Sequence, residues 1–212
     1  MKELRSGVTL LVPAKNEESR LEAFLNQFKS HVDDVVIVEN GSTDKTVEIA
    51  RKYADKVIIL ENVKCIHNKK VWKREDAIKD HRCDVYNKGM EAVGTEWVLS
   101  ADCDELWDEE FLKRLKEIIA KYPEAMCFRF PRCNLPDGKD YPDYQIRLVK
   151  TAWTFWMHTP HVIPFLRAEK REGGIYEGPL DASGAVETLD EYPIIHLPRQ
   201  KNLRRPWWNE KW

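Results

Sequence analysis

Two carboxylates stand one residue apart in the run Trp97-Val-Leu-Ser-Ala-Asp-Cys-Asp-Glu105, at Asp102 and Asp104. The apolar stretch before them reads as a strand. In an open α/β sheet a strand delivers its last residues to the edge where the ligand crevice forms. Two hard oxygen ligands at that edge can hold Mg²⁺ or Mn²⁺, and such an ion can hold a diphosphate. A plainer reading competes. Asp108, Glu109 and Glu110 follow closely, and acidic residues ahead of a helix are already favoured by its dipole. Two upstream segments weigh toward the first reading.

In the first, Gly-Val-Thr-Leu-Leu-Val from Gly7 to Val12 is apolar and rich in β-branched residues, the composition of a buried strand. Pro13-Ala14-Lys15-Asn16-Glu17-Glu18 stops it and opens a helix. Leu21, Phe24, Leu25 and Phe28 then recur at i, i+3, i+4, i+7, so that helix lays one face on the sheet. The second segment, Val35-Val36-Ile37-Val38-Glu39-Asn40-Gly41-Ser42-Thr43-Asp44, repeats the plan. It is a strand, a tight turn at Gly41-Ser42, and a helix capped by Thr43 or Asp44. Glu39 ends this strand beside the first loop, where a nucleobase could be read.

Four blocks therefore follow one another: Val-Pro-Ala-Lys-Asn-Glu-Glu, Val-Glu-Asn-Gly-Ser-Thr-Asp-Lys-Thr, Asn-Lys-Gly-Met-Glu-Ala-Val-Gly-Thr-Glu-Trp starting at Asn87, and Asp102-Cys-Asp104. In this order and spacing, over about residues 6–150, the chain resembles the family 2 glycosyltransferases of the GT-A fold. That resemblance implies an α/β fold: a Rossmann-like, mostly parallel sheet flanked by helices, with an irregular C-terminal acceptor-side portion. It also implies inverting transfer from a nucleotide-activated sugar, most often a UDP-sugar, with Mn²⁺ or Mg²⁺ at the Asp-x-Asp pair. The donor would meet Pro13, Ala14, Asn16, Glu17, Glu39, Asn40, Arg82 and Asp102. Arg82 suits phosphate oxygens and equally suits an exposed helix surface.

By the same resemblance, the metal would be held by Asp102 and Asp104, joined by His196, a late histidine found in some GT-A enzymes. A Pro-Asp-Tyr-Gln-x-Arg-Leu block around Asp143 matches one that follows the metal pair in part of the family. It makes Asp143 the general base, with Gln145 or Arg147 orienting substrate. Otherwise Asp143 is a surface residue in a proline turn, and Glu172, Glu177 and Asp181 are the next candidates. The chain departs from the family at Glu39, where Asp is usual. His158 and His161 read as structural rather than ligating, and Trp153 and Trp156 as core.

Composition agrees with one enzyme domain. The chain has 212 residues, 42% hydrophobic and 33% charged, enough for one sizeable core. A formal net charge of −2 gives no global attraction to nucleic acid or anionic lipid. No run approaches the ~20 apolar residues of a membrane span, and the first residues carry no apolar signal segment. A cytoplasmic location is expected, peripheral at the membrane if the acceptor is membrane-borne. Cysteines 65, 83, 103, 127 and 133 form no C-x-x-C pair and read as reduced thiols.

Strands are expected near 7–12, 34–39, 56–60, 96–101 and 125–130, and helices near 17–30, 44–54, 74–93 and 108–121. This alternation gives a parallel sheet covered on both faces. Prolines and aromatics beyond Phe130 suggest loops and short strands. The chain is read as a single domain over 1–212, with a nucleotide-sugar part over 1–105 and an acceptor-side part over 106–212. The acceptor could be a glycan, lipid-linked, a protein or a modified nucleic acid, and the tail with Trp207, Trp208 and Trp212 could touch a membrane-borne acceptor, a nucleic acid or a partner chain, or fold back over the sheet. The rival readings are a sugar-phosphate nucleotidyltransferase, which would want a Gly-rich loop after the first strand, and a nucleotide-sugar-binding protein without turnover.

Overall fold

The computed structural model describes residues 3–61, 82–134, 143–157, 163–166 and 186–197. Strand β1 (Arg5–Ala14) pairs in parallel with β2 (Asp34–Asn40), and β2 with β3 (Lys56–Leu60). Strand β4 (Thr95–Ser100) pairs in parallel with the other side of β1. Sheet order therefore runs β3-β2-β1-β4. The chain steps outward from β1 in one direction, then returns to its opposite flank. This reversal creates a switch point between β1 and β4, and a crevice opens beyond the carboxyl ends of strands at such a point.

Alternation along each strand feeds two apolar layers. Leu10, Val12, Ile37 and Leu99 face a layer completed by Phe24 and Phe28 of α1 (Leu21–Phe28) and by Phe111, Leu112, Leu115 and Ile118 of the long helix described below. Leu11, Val36, Val38 and Val98 face the other side, against Val85 and Tyr86 of α3 (Arg82–Ala92). Helix α2 (Thr46–Tyr53) adds Ala50 to the first layer. Each fully buried Leu or Phe here contributes about 1.5–3 kcal/mol relative to exposure. Helix α4 (Glu109–Lys121) starts at Asp108, whose side chain accepts a hydrogen bond from the Phe111 N–H at 2.9 Å.

Beyond the switch point the sheet continues in mixed sense. Strand β7 (Asp143–Lys150) runs antiparallel to β4 and to β6 (Cys127–Asn134). Strands β10 (Val186–Thr188) and β11 (Ile194–His196) lie end to end along β6, and β11 pairs antiparallel with the short β5 (Glu105–Leu106). Pro131 falls opposite the break between β10 and β11, where a missing N–H costs least. Strands β8 (Thr154–Met157) and β9 (Ile163–Leu166) form a separate ribbon. No helix among the described residues is long and apolar enough to cross a membrane.

The expected elements recur with shifted ends. The first helix begins at Leu21 rather than residue 17, because Asn16 adopts a positive φ of 54° and residues 18–20 form a turn. Helix α2 has Lys45 at its N-cap with no side-chain cap, not Thr43 or Asp44. The Asp44 carboxylate still accepts from the Thr46 N–H at 3.0 Å. Residues 74–81 of the expected third helix lie outside the described residues. The region beyond Phe130 is more regular than expected: β6 extends to Asn134, and β7 is eight residues long.

Candidate functional site

The loops after β1 and β2 are bound to each other by side chains. Asn16 receives the Thr43 N–H at its Oδ1 (2.8 Å), while its own N–H donates to Ser42 Oγ (2.9 Å). The Glu17 N–H donates to Thr46 Oγ1 at 2.7 Å, and the Lys45 N–H to Glu18 Oε2 at 2.9 Å. Asn16 can hold its left-handed conformation because its short polar side chain finds local partners there. Gly41, at φ 70°, makes the second turn. Glu39 is buried, and its Oε1 accepts from the Ser42 N–H three residues on. One oxygen of the residue expected to read a base therefore closes its own loop. Ala14 and Glu39 pair across β1 and β2, which brings Pro13, Ala14, Asn16, Glu17, Glu39 and Asn40 to one edge.

The same edge carries the acidic turn. Ser100 pairs with Leu11, and the Ala101 N–H donates to the Leu11 carbonyl at 3.2 Å. The chain then turns sharply, with the Glu105 N–H donating to the Asp102 carbonyl at 3.1 Å. The Glu105 side chain closes the turn from inside by accepting the Asp102 N–H at 3.2 Å. Asp102 is held at both oxygens: Tyr86 Oη donates to Oδ1 at 3.0 Å and Arg147 Nη2 to Oδ2 at 2.8 Å. The same Arg147 nitrogen donates to Glu105 Oε1. Asp104 points elsewhere, with its Oδ2 3.3 Å from His196 Nε2. The Asp104 carbonyl accepts the Leu197 N–H at 2.7 Å, which ties the turn to the end of β11.

Charge at this turn is unevenly distributed. The Arg147 side chain is 6% exposed and Glu105 is fully buried, whereas the Asp102, Asp104 and His196 side chains are 37%, 19% and 33% exposed. Burial pushes the Glu105 carboxyl up to about 7, with the nearby Asp102 charge adding to the rise and Arg147 opposing it. Burial also works against Asp102, but the Arg147 guanidinium and the hydrogen bonds from Arg147 and Tyr86 bring it net below the usual carboxylate range. Tyr86 and Cys103 are raised well above their ordinary values, chiefly by burial.

Among the described residues no group of three or more His, Cys, Asp or Glu side chains is arranged to hold a metal. The set of Asp102, Asp104 and His196 expected from the sequence is therefore split. Asp104 and His196 converge, while Asp102 turns toward Arg147 and Tyr86. An oxygen and an imidazole nitrogen still suit Mn²⁺ or Mg²⁺, because these ions are typically held by one or two protein ligands plus substrate phosphates and water. The donor chemistry at this turn thus fits a divalent ion that arrives with a diphosphate.

Arg147, expected to orient substrate, is instead buried against two carboxylates. Asp143 is the first residue of β7 and Arg82 the first of α3, and the side chains of both lie outside the described residues. So do His158, His161, Glu172, Glu177, Asp181, the side chains of Trp153 and Trp156, and the tail tryptophans. Sequence reasoning missed Tyr86 and Glu105. Glu105 lies next to Asp104 and could have been noticed; Tyr86 gives no signal, since a tyrosine on an apolar helix face reads as core. Among the described cysteines, Cys103, Cys127 and Cys133 are free thiols.

A two-faced α/β sheet with an acidic turn at its switch point is the architecture of the GT-A glycosyltransferases. The model of the family described as Glycosyl transferase family 2 matches residues 9–176, and the chain belongs to that family. Among curated relatives, an uncharacterized glycosyltransferase of Rickettsia typhi is 28% identical over 115 residues, 54% of this chain and 34% of the relative. One from Rickettsia conorii is 27% identical over 121 residues, 57% and 37% of the two chains. The chain thus spans about a third of the length of these relatives. Among solved structures, S. aureus TarS 1-349 in complex with UDP-GlcNAc has a TM-score of 0.57 at 16% identity, covering 97% of this chain and 62% of that one. Glucosyl-3-phosphoglycerate synthase from Mycobacterium tuberculosis, in complex with Mn²⁺, UDP and glucosyl-3-phosphoglycerate, has a TM-score of 0.55 at 14% identity, covering 92% and 73%.

Proposed function

We propose that this chain transfers a sugar from a nucleotide diphosphate, a UDP-sugar, to an acceptor hydroxyl with inversion at the anomeric carbon. The observation that carries the reading is the convergence of Asp104 and His196 at the switch-point edge, beside the interlocked loops of Asn16 and Glu39. Support for UDP and for a divalent ion comes from the complexes of the two structural neighbours. The nucleoside would lie over the loop pair, with Ala14, Asn16 and Asn40 at its rim. Asp104 and His196 would hold the ion, and Asp102, neutralised by Arg147, would stand beside the donor rather than on the metal.

A bound divalent ion would supply neutralisation of the charge that grows on the departing diphosphate. The chain's own part is to orient the donor and to take a proton. An inverting transfer needs a carboxylate on the acceptor side, apart from those at the metal, to accept the hydroxyl proton. Asp143 is proposed for this role. Its support is topological: β7 runs antiparallel to β4 with Leu148 opposite Leu99, so β7 begins at the edge where β4 ends. The acceptor could be a glycan, a lipid-linked sugar, a protein or a modified nucleic acid.

The test is a panel of nucleotide sugars with the purified chain, following nucleotide release and calorimetric UDP binding with and without Mn²⁺. The expected result is UDP binding that strengthens with Mn²⁺, and that Asp104→Asn weakens without lowering the melting temperature, since Asp104 lies outside the apolar layers. Equal UDP affinity with Mn²⁺ and with a chelator would refute the metal role. Absence of nucleotide binding altogether would refute the donor class.

A further inference from the structure

The Asp102–Glu105 turn is shaped from beneath by residues that do not face the crevice. Glu105 occupies the pivot. Its backbone pairs with His196 across β5 and β11, and its side chain accepts the Asp102 N–H at 3.2 Å. One residue therefore fixes both the start of the turn and the strand that carries the histidine. Its carboxyl group lies inside the protein, where an unmatched charge is expensive. The match is Arg147, whose Nη2 donates to both Glu105 Oε1 and Asp102 Oδ2. Arg147 belongs to β7, on the far side of β4 from the nucleotide-side loops.

We propose that Glu105 and Arg147 form a buried clamp that positions Asp104 and His196 for the divalent ion, making the metal site conditional on strand β7. Both are positioning residues. Neither reaches the ion, because Glu105 is turned inward and Arg147 is a cation. The inference rests on the functional reading above.

Without the guanidinium, Asp102 Oδ2 and Glu105 Oε1 both lose the donor that ties the turn to β7, so the turn is no longer anchored from beneath. Asp104 sits between them in sequence and is the residue displaced. Groups that orient metal ligands in this indirect way typically alter metal affinity by about 10–100-fold when removed.

Two variants test the clamp. In the double variant E105Q/R147M, the buried Glu105–Arg147 pair is removed with its volume kept, and Asp102, partly exposed, keeps Tyr86 as a donor, so folding is expected to survive. Arg147→Lys keeps the charge but loses the planar fork that lets one group serve two carboxylates at fixed angles. Mn²⁺ binding is read directly by the loss of free-ion electron paramagnetic resonance signal, with UDP present, well below the melting temperature of each variant. The clamp predicts that the double variant binds Mn²⁺ at least tenfold more weakly than the unaltered chain, with a melting temperature within a few degrees. It predicts an intermediate loss for Arg147→Lys. Unchanged Mn²⁺ affinity in either folded variant overturns the clamp. Failure of the unaltered chain itself to bind Mn²⁺ with UDP refutes the functional reading instead, so the two failures are distinct.

Discussion

Gly89 sits in α3 where that helix crosses β1 and β2, and the packing there has no room for a methyl group. A Cβ at this position would lie 2.3 Å from Leu11 Cδ1 and 2.9 Å from Val38 Cγ2. Both neighbours are fully buried, so neither can swing into solvent. Val38 is also β-branched and stiff about χ1. Gly89→Ala therefore forces the helix outward or the two side chains off their rotamers; with both contacts under 3.0 Å the overpacking cost falls in the upper part of the usual range, about 2–3 kcal/mol. Against this, alanine is the better helix former by about 1 kcal/mol. The net expectation is destabilisation by about 1–2 kcal/mol. In urea this is a fall in midpoint of roughly 0.5–1 M with unchanged slope. Helix α3 also carries Tyr86, which holds Asp102, so outward movement should weaken UDP binding in the same variant. A midpoint equal to or above that of the unaltered chain would show that the helix is free to move, and would refute the close-packing argument.

Glu105 gives a pH dependence whose sign is opposite to that of an exposed ion-paired carboxylate, because its burial outweighs the pull of Arg147. Its carboxyl is raised from 4.5 to about 7 in the fold, so the folded state favours the protonated form; this contribution is complete below about pH 4.5 and is lost as pH rises through 7. With chelator present, Glu105→Gln should flatten the stability profile over that window, and an unaltered slope in urea titrations at pH 5 and 8 would exclude the shift. Glu39→Gln should lower UDP affinity by about 1–2 kcal/mol if a base N–H meets the carboxylate, and calorimetry showing equal affinity would move base recognition elsewhere. Asp143→Asn should keep UDP affinity yet slow sugar transfer by about 10²-fold or more, and transfer near the normal rate would send the search to Glu172, Glu177 or Asp181.

The nucleotide-side half of the fold was legible because its signals are local. Val8–Val12 and Val35–Val38 are apolar runs too short for helices, and Leu21, Phe24, Leu25 and Phe28 have the helical period; all four are buried as that period requires. Asp102 and Asp104 announced themselves by following such a run. What the sequence hid is long-range. Arg147 is separated from Asp102 by 45 positions, and no local pattern says that an arginine on β7 will turn inward. Asn16 and Thr43, 27 positions apart, likewise meet only because β1 and β2 are parallel neighbours. The ends of the first two helices were misplaced for the same reason: hydrogen bonds between the two loops replace the helical bonds that local capping rules anticipate.

The acidic turn is arranged so that a diphosphate alone is a poor ligand for it. Asp102, Asp104 and Glu105 crowd into four positions, and Arg147, the guanidinium bonded to this turn among the described residues, is already engaged by two carboxyl groups. A phosphate oxygen brought to about 4 Å from the partly exposed Asp102 or Asp104 would meet repulsion of about 4 kcal/mol per charge pair at the dielectric usual near protein surfaces. A divalent ion between them reverses the sign of that interaction on both sides. Arg147 occupies Asp102 and leaves Asp104 to pair with His196, which on the proposed reading makes Asp104 the carboxylate that meets the ion. On the proposed reading, the inward-facing charges thus select, from two aspartates of the same motif, one to stay beside the donor and one to offer its oxygens to the cation. That division of labour follows from which side of β4 the guanidinium comes from, and the Asp-x-Asp spacing alone does not contain it.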